Sequence, residues 1–186
     1  MIKEYTITAF SENSIGLLNR ITILFTRRRL NIESLTVSAS SIRGIHKFTI
    51  VVLSTKEQVE KVTKQIEKLV EVLRAYFHDD KDIIYQEVAL YKLNTSSMMI
   101  PSAIEDIVRR FNARVLDISP EYMVFEKTGY PTETQELFEY LDSNFKMLQF
   151  TRSGRIAITK DTQERLTNYL REMDEIEKGH SVQKNL

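Results

Sequence analysis

The chain reads as an α+β protein built from two tandem βαββαβ units with an extra C-terminal helix. Three observations predict this. Within residues 5–77 a period-two strand pattern is followed by an amphipathic helix, two strands, a second helix and a strand. The charged break His78-Asp79-Asp80-Lys81-Asp82 then interrupts the pattern, and the same order returns after it. With 186 residues, 42% hydrophobic and 28% charged, the chain has room for one large domain or two small ones.

Each element has its own signal. Residues 5–10 alternate, with Tyr5, Ile7 and Ala9 on one face. Asn13 or Ser14 is expected to cap a helix whose stripe is Leu17, Leu18, Ile21, Leu24 and Phe25. Arg27, Arg28 and Arg29 end it, where cations suit the helix dipole. Residues 32–39 and 46–53 read as strands around a short polar loop, 40–44. Ser54 or Thr55 caps a second helix with Val59, Val62, Ile66 and Leu69 on one side, and a strand covers 70–77. That order is the split βαβ arrangement of ferredoxin-like folds.

The second unit opens with a strand at 86–93. Pro101 then starts a helix with Ile104, Ile107, Val108 and Phe111. Strands at 114–118 and 122–127 flank Ser119-Pro120, and Thr132 is expected to cap a helix carrying Leu137, Phe138 and Leu141. A strand at 147–151 closes the unit, with 155–159 extending it past Ser153-Gly154. Asp161 and Glu164 suggest a capping box for a last helix, with Leu166, Tyr169, Leu170, Met173 and Ile176 on one face and Gly179 at its end. That face needs a partner, either the second half or another chain. The expected domains are 1–80, 84–160 and a helical or loose tail, 161–186.

Composition narrows the function. Lys plus Arg is 26 and Asp plus Glu is 26, so there is no basic excess for nucleic acid. There is no cysteine, hence no disulfide, thiolate or cysteine metal site. No apolar run suits a signal peptide or a membrane span, and the expected location is the cytoplasm. No nucleophile sits with a base, and 5 glycines without a glycine-rich run argue against a phosphate loop. His46, His78 and His180 are scattered, and the Asp79-to-Asp82 run lacks the glycine and glutamate of a calcium loop, so no metal is expected. Arg152-Ser153-Gly154 reads as a turn, with contact to a partner as an alternative.

The remaining candidate is the polar turn Asn13-Ser14-Ile15-Gly16-Leu17-Leu18. It enters a helix, so free N–H groups of about Ile15 to Leu18 would receive a carboxylate. Asn13 and Asn31 each offer a donor and an acceptor for carboxylate or ammonium. Leu17, Leu18 and Ile32 would line an apolar pocket. The chemistry fits a free amino acid, although the same residues also suit a plain capped turn. Helices on one sheet face leave the other uncovered, and residues 48–52 are apolar on both sides. Pairing of two chains would cover that surface, so a homodimer is expected, with ligand sites between the first halves.

Asn13-Ser14-Ile15-Gly16-Leu17-Leu18-Asn19-Arg20, Phe25-Thr26-Arg27-Arg28, Asn31-Ile32-Glu33-Ser34-Leu35 and Thr49-Ile50-Val51-Val52 closely resemble the regulatory small subunit of acetolactate synthase (acetohydroxyacid synthase). Residues 64–73, Glu87-Val88-Ala89-Leu90-Tyr91-Lys92-Leu93 and Thr151-Arg152-Ser153-Gly154 fit the same family. The resemblance implies an ACT domain followed by a second ferredoxin-like domain. It implies a non-catalytic chain that binds and activates a large catalytic subunit and confers feedback inhibition by a branched-chain amino acid, valine foremost. Thiamine diphosphate, magnesium and FAD would belong to that large subunit, with no cofactor in this chain. A free-standing ACT-type amino-acid sensor for another enzyme or a transcription factor is the alternative. Three departures stand out: a short 39–44 loop, a long tail after Lys160, and Arg29-Leu30 in place of glycine and an aromatic residue, which is expected to force a different helix exit.

Overall fold

The computed structural model describes residues 1–98, 101–162 and 166–171. They divide into two compact units, Met1–Ile84 with the described residues from Ile158 onward, and Tyr85–Ala157. Each unit carries an antiparallel sheet and two helices.

The first unit comprises β1 (Lys3–Glu12), α1 (Leu17–Arg27), β2 (Ser34–Ala39), β3 (Ile45–Ser54), α2 (Lys56–Ile66) and β4 (Val72–His78). The strand order is β2-β3-β1-β4, so β1 and β3 are central and β2 and β4 are edges. Ile7 stands opposite Ile50 on one side and Phe77 on the other. Strand alternation sends Tyr5, Ile7, Ala9, Phe48, Ile50 and Val52 to the helix side. There they pack with Leu17, Ile21 and Phe25 of α1 and Val59, Val62 and Ile66 of α2. Thr55 caps α2 as expected: its side chain accepts from the Gln58 N–H.

Both ends of α1 differ from expectation. Neither Asn13 nor Ser14 caps it. The N-cap is Gly16, at φ 81°, without a side-chain cap bond. The reason is a turn closed by main chain alone: the Ser14 N–H donates to the Glu12 carbonyl, and the Leu17 N–H donates to the Ser14 carbonyl. At the other end a left-handed exit forms without a glycine. Arg29 itself takes the left-handed conformation, φ 55°. The Arg29 N–H reaches the Thr26 carbonyl and the Leu30 N–H reaches the Phe25 carbonyl, both at 3.0 Å. These two bonds are the Schellman pair that stops a helix.

β4 begins at Val72, two residues later than the pattern suggested, because the Leu69 N–H bonds to the Ile66 carbonyl and the Val72 N–H to the Leu69 carbonyl. The charged break after β4 lies just before the division between the two units. Asp80–Asp82 makes one 3-10 turn, Asp79 pairs with Lys3, and His78 is buried.

The sheet face away from the helices corrects a second expectation. Thr6, Thr8 and Phe10 of β1, Thr49 and Val51 of β3 and His78 of β4 point there by alternation, and all are buried within the single chain. The surface that was expected to need a second copy is therefore already covered. The described C-terminal residues group with the first unit. Leu166 is 0% exposed, and the Tyr169 ring lies 4.0 Å from the guanidinium of Arg74. Residues 166–171 are helical. Glu164, Met173, Ile176, Gly179 and His180, named from the pattern, lie outside the described residues.

The second unit holds β5 (Ile83–Asn94), α3 (Pro101–Phe111), β6 (Arg114–Ile118), β7 (Tyr122–Gly129), α4 (Pro131–Asn144), β8 (Met147–Arg152) and β9 (Ile156–Thr159). Its order β6-β7-β5-β8 repeats the first sheet, and β9 pairs with β5. Ala89, Tyr91 and Leu93 pack with Met123, Phe125, Ile107, Leu137 and Leu141. Thr132 does not cap α4. Its N-cap is Tyr130, two residues earlier, and the helix starts at Pro131, because proline suits the first helical position and the Glu133 carboxylate accepts from the Tyr130 N–H at 2.7 Å. The Tyr91 hydroxyl donates to the Thr134 carbonyl at 2.7 Å. Burial pushes that hydroxyl's pKa up, so it stays a neutral donor.

Candidate functional site

Where β1 ends and α1 begins, the first unit has a crevice of about 160 Å³. Its walls are Glu12, Asn13, Ser14, Gly16, Leu17, Leu18, Val37, His46 and Phe48. A cavity of ~150 Å³ accommodates one benzene-sized molecule, so this space suits a small amino acid side chain. Leu17 and Phe48 are buried and form an apolar floor, while Leu18 and Val37 are partly exposed at the rim.

The walls come together for simple reasons. Antiparallel pairing sets His46 opposite Ser11 and Phe48 opposite Val37, so β1, β2 and β3 deliver side chains to one end of the sheet. The Asn13 N–H donates to the Gly44 carbonyl at 3.3 Å, which ties the turn to the β2–β3 loop. The Glu12 N–H donates to the Glu71 carbonyl at 3.0 Å, and Arg20 of α1 pairs with the Glu71 carboxylate. That hydrogen bond holds the Glu71 carboxyl below its ordinary range.

The turn leaves the N–H groups of Ile15, Gly16, Leu18 and Asn19 without a main-chain acceptor among the described residues. No acidic residue sits in the first turn of α1. Within the helix nothing acidic offsets the partial positive charge of its start, a setting for a carboxylate, although Glu12 lines the same crevice. The Leu17 N–H is engaged with Ser14 at 3.3 Å, so it is the weakest of the expected donors.

Of the eight residues expected from sequence, the crevice gathers Asn13, Ser14, Gly16, Leu17 and Leu18. Ile15 projects fully into solvent. Asn31 is exposed and donates to Glu33 at 2.9 Å, and Ile32 packs against the core, so within one chain neither lines the crevice. Glu12, Val37, His46 and Phe48 were missed. Glu12 adjoins the turn in sequence and could have been read with it, whereas Val37, His46 and Phe48 are remote from it and only the strand register brings them there.

Elsewhere, Arg152-Ser153-Gly154 is a structural turn. The Val88 N–H donates to the Ser153 hydroxyl at 3.0 Å, and the Arg152 Nε lies 3.4 Å from the Glu87 carboxylate. No group of three acidic, histidine or cysteine side chains that could hold a metal occurs among the described residues. No helix among them is long and apolar enough to cross a membrane.

Comparison with known proteins adds the family. Residues 7–74 match the AHAS small subunit-like ACT domain, and residues 86–161 match the family described as the small subunit of acetolactate synthase. The chain is 34% identical to the acetolactate synthase small subunit of Bacillus subtilis over 163 residues, covering 87% of this chain and 94% of that one. It is 33% identical over 158 residues to the putative acetolactate synthase small subunit of Mycobacterium tuberculosis, covering 85% and 93%. The crystal structure of the acetolactate synthase small subunit from Thermotoga maritima superposes with a TM-score of 0.78 at 26% identity, over 87% of this chain and 100% of that one.

Proposed function

This chain belongs to the acetolactate synthase small-subunit family, and we propose that it senses a branched-chain amino acid through the crevice at the start of α1. It is the small, regulatory subunit of acetolactate synthase, non-catalytic by family, and a small subunit implies association with a large catalytic one. Cofactors belong to that catalytic partner by the same family knowledge.

The finer reading is ours. The chain activates the large subunit and transmits feedback inhibition in the cytoplasm, with valine the preferred effector. Thiamine diphosphate, magnesium and FAD sit in the large subunit. Residues 1–80 act as the effector-binding ACT domain and residues 84–160 as the second domain. The carrying observation is the crevice itself: unsatisfied main-chain donors beside Asn13 and Ser14, over an apolar floor of Leu17 and Phe48. A single methylene in such a pocket is worth only about 1–3 kcal/mol, so discrimination among valine, leucine and isoleucine is modest.

A homodimer completes the site in this reading. The open edge β2 supports it, since its Val37 is 39% exposed beside the crevice. Asn31 and Ile32 lead into that edge, from which they would meet the partner's crevice. The test is calorimetric titration of the chain with each of the three amino acids, with and without the large subunit, alongside assay of acetolactate formation. Saturable binding and inhibition are expected. Absence of heat in both preparations would overturn the effector assignment, and a monomer by light scattering at micromolar concentration would overturn the dimer.

A further inference from the structure

Building on the effector reading, we propose that the imidazole of His46 is a ligand of the effector's carboxylate, and that this contact couples effector binding to the uptake of a proton. His46 lies near the start of β3 and lines the crevice. Phe48 follows two residues later, so both side chains share the helix side of the sheet. Register sets His46 beside Ser11 of β1 and Ala39 of β2. Neither neighbour engages the ring. The buried Ser11 hydroxyl donates to the Glu12 carbonyl at 3.0 Å, and Ala39 has no polar side chain. The His46 ring is half-buried and makes no hydrogen bond or ion pair with a described residue.

Position along β3 decides which end of an amino acid His46 meets. The bond from the Asn13 N–H to the Gly44 carbonyl holds the polar turn against the chain two residues before His46. A carboxylate received by the N–H groups of that turn lies at the His46 end of the crevice, with the apolar side chain towards Phe48 and Val37. Few charges surround the ring. β1 contributes Glu12, α1 contributes Leu17, Leu18 and its helix start, and β2 contributes Val37. Lys47 faces away, its ammonium 5.6 Å from the centre of the Phe10 ring, and Arg43 of the β2–β3 loop is exposed and outside the lining. Glu12 is thus the one formal charge among the lining residues, and it acts whether the crevice is empty or filled. The helix start opposes a proton on the ring. A bound carboxylate offsets that opposition and accepts from the ring, which favours imidazolium in the complex. The complex then holds more protons than its separate partners. Affinity is greatest at low pH and declines as pH rises through the range where histidine titrates.

The intact chain, alone and with the large subunit, is titrated calorimetrically with valine, leucine and isoleucine at about pH 5.5, 7 and 8.5, in two buffers of different ionisation enthalpy. The parent is expected to bind roughly tenfold tighter at the lowest pH than at the highest, with net proton uptake on binding. His46→Gln keeps a hydrogen-bond donor but cannot gain a proton. It should match the parent within a few-fold at the highest pH and lose the pH dependence. Binding by the parent without proton uptake at any pH would overturn the proposal, and that measurement needs no variant to fold. A pH dependence retained in His46→Gln would overturn it too, as would an equal loss of affinity at all three pH values, the mark of a purely structural residue. A parent chain that binds none of the three amino acids in either preparation would instead overturn the effector reading itself.

Discussion

Gly16→Asp tests the effector site most directly. Gly16 lies at φ 81°, where a side chain is strained, but an added Cβ meets nothing within 4 Å. The backbone cost for a non-glycine residue there is about 1 kcal/mol, and aspartate is among the types that tolerate the region best. A negative charge at a helix start recovers about 0.3–1 kcal/mol. The variant should therefore fold, with a melting temperature within about 4 °C of the parent. Effector binding should suffer far more. A new carboxylate ~5 Å from the ligand's own would oppose it by about 3 kcal/mol at an effective dielectric constant of ~20. That corresponds to a loss of affinity of about a hundredfold. Gly16→Ala carries the same backbone cost without the charge, and should change affinity only a few-fold. Calorimetric titration and inhibition of acetolactate formation by the complex read both variants. Retained inhibition in Gly16→Asp would refute the carboxylate site. Equal loss in the alanine variant would show that backbone shape, not charge, governs binding.

Two further outcomes follow from the first unit. Arg29→Gly removes a left-handed strain of about 1–2 kcal/mol and adds about 0.5–1 kcal/mol of chain entropy cost, so the melting temperature should rise by about 1–3 °C, and a fall would refute the αL assignment. The Glu71 carboxyl is held low by Arg20, so it contributes stability above its ordinary value of 4.5 that is lost as pH falls through its depressed folded value. Glu71→Gln should flatten that acid limb in melts recorded from pH 7 to pH 3, and an unaltered limb would place the titration elsewhere.

The alternation of Tyr5, Ile7 and Ala9 and the stripe of Val59, Val62 and Ile66 were enough to read two βαββαβ units, because each periodicity has one burial solution. The motif around Gly16 likewise pointed to a helix start. Local chemistry did not reveal how that start closes. The choice between Ser14 and Gly16 as N-cap rested on two main-chain hydrogen bonds, which side-chain types do not encode.

Sequence alone thus determined the order of elements, the family and the polar turn, since these depend on neighbours in the chain. Tertiary structure decided which distant side chains share the crevice with that turn: Val37, His46 and Phe48 arrive through strand register, to which no residue type points by itself. It also decided that the second face of the first sheet is buried within one chain. Periodicity shows that Leu166 and Tyr169 seek cover, but only the folded structure groups them with the first unit.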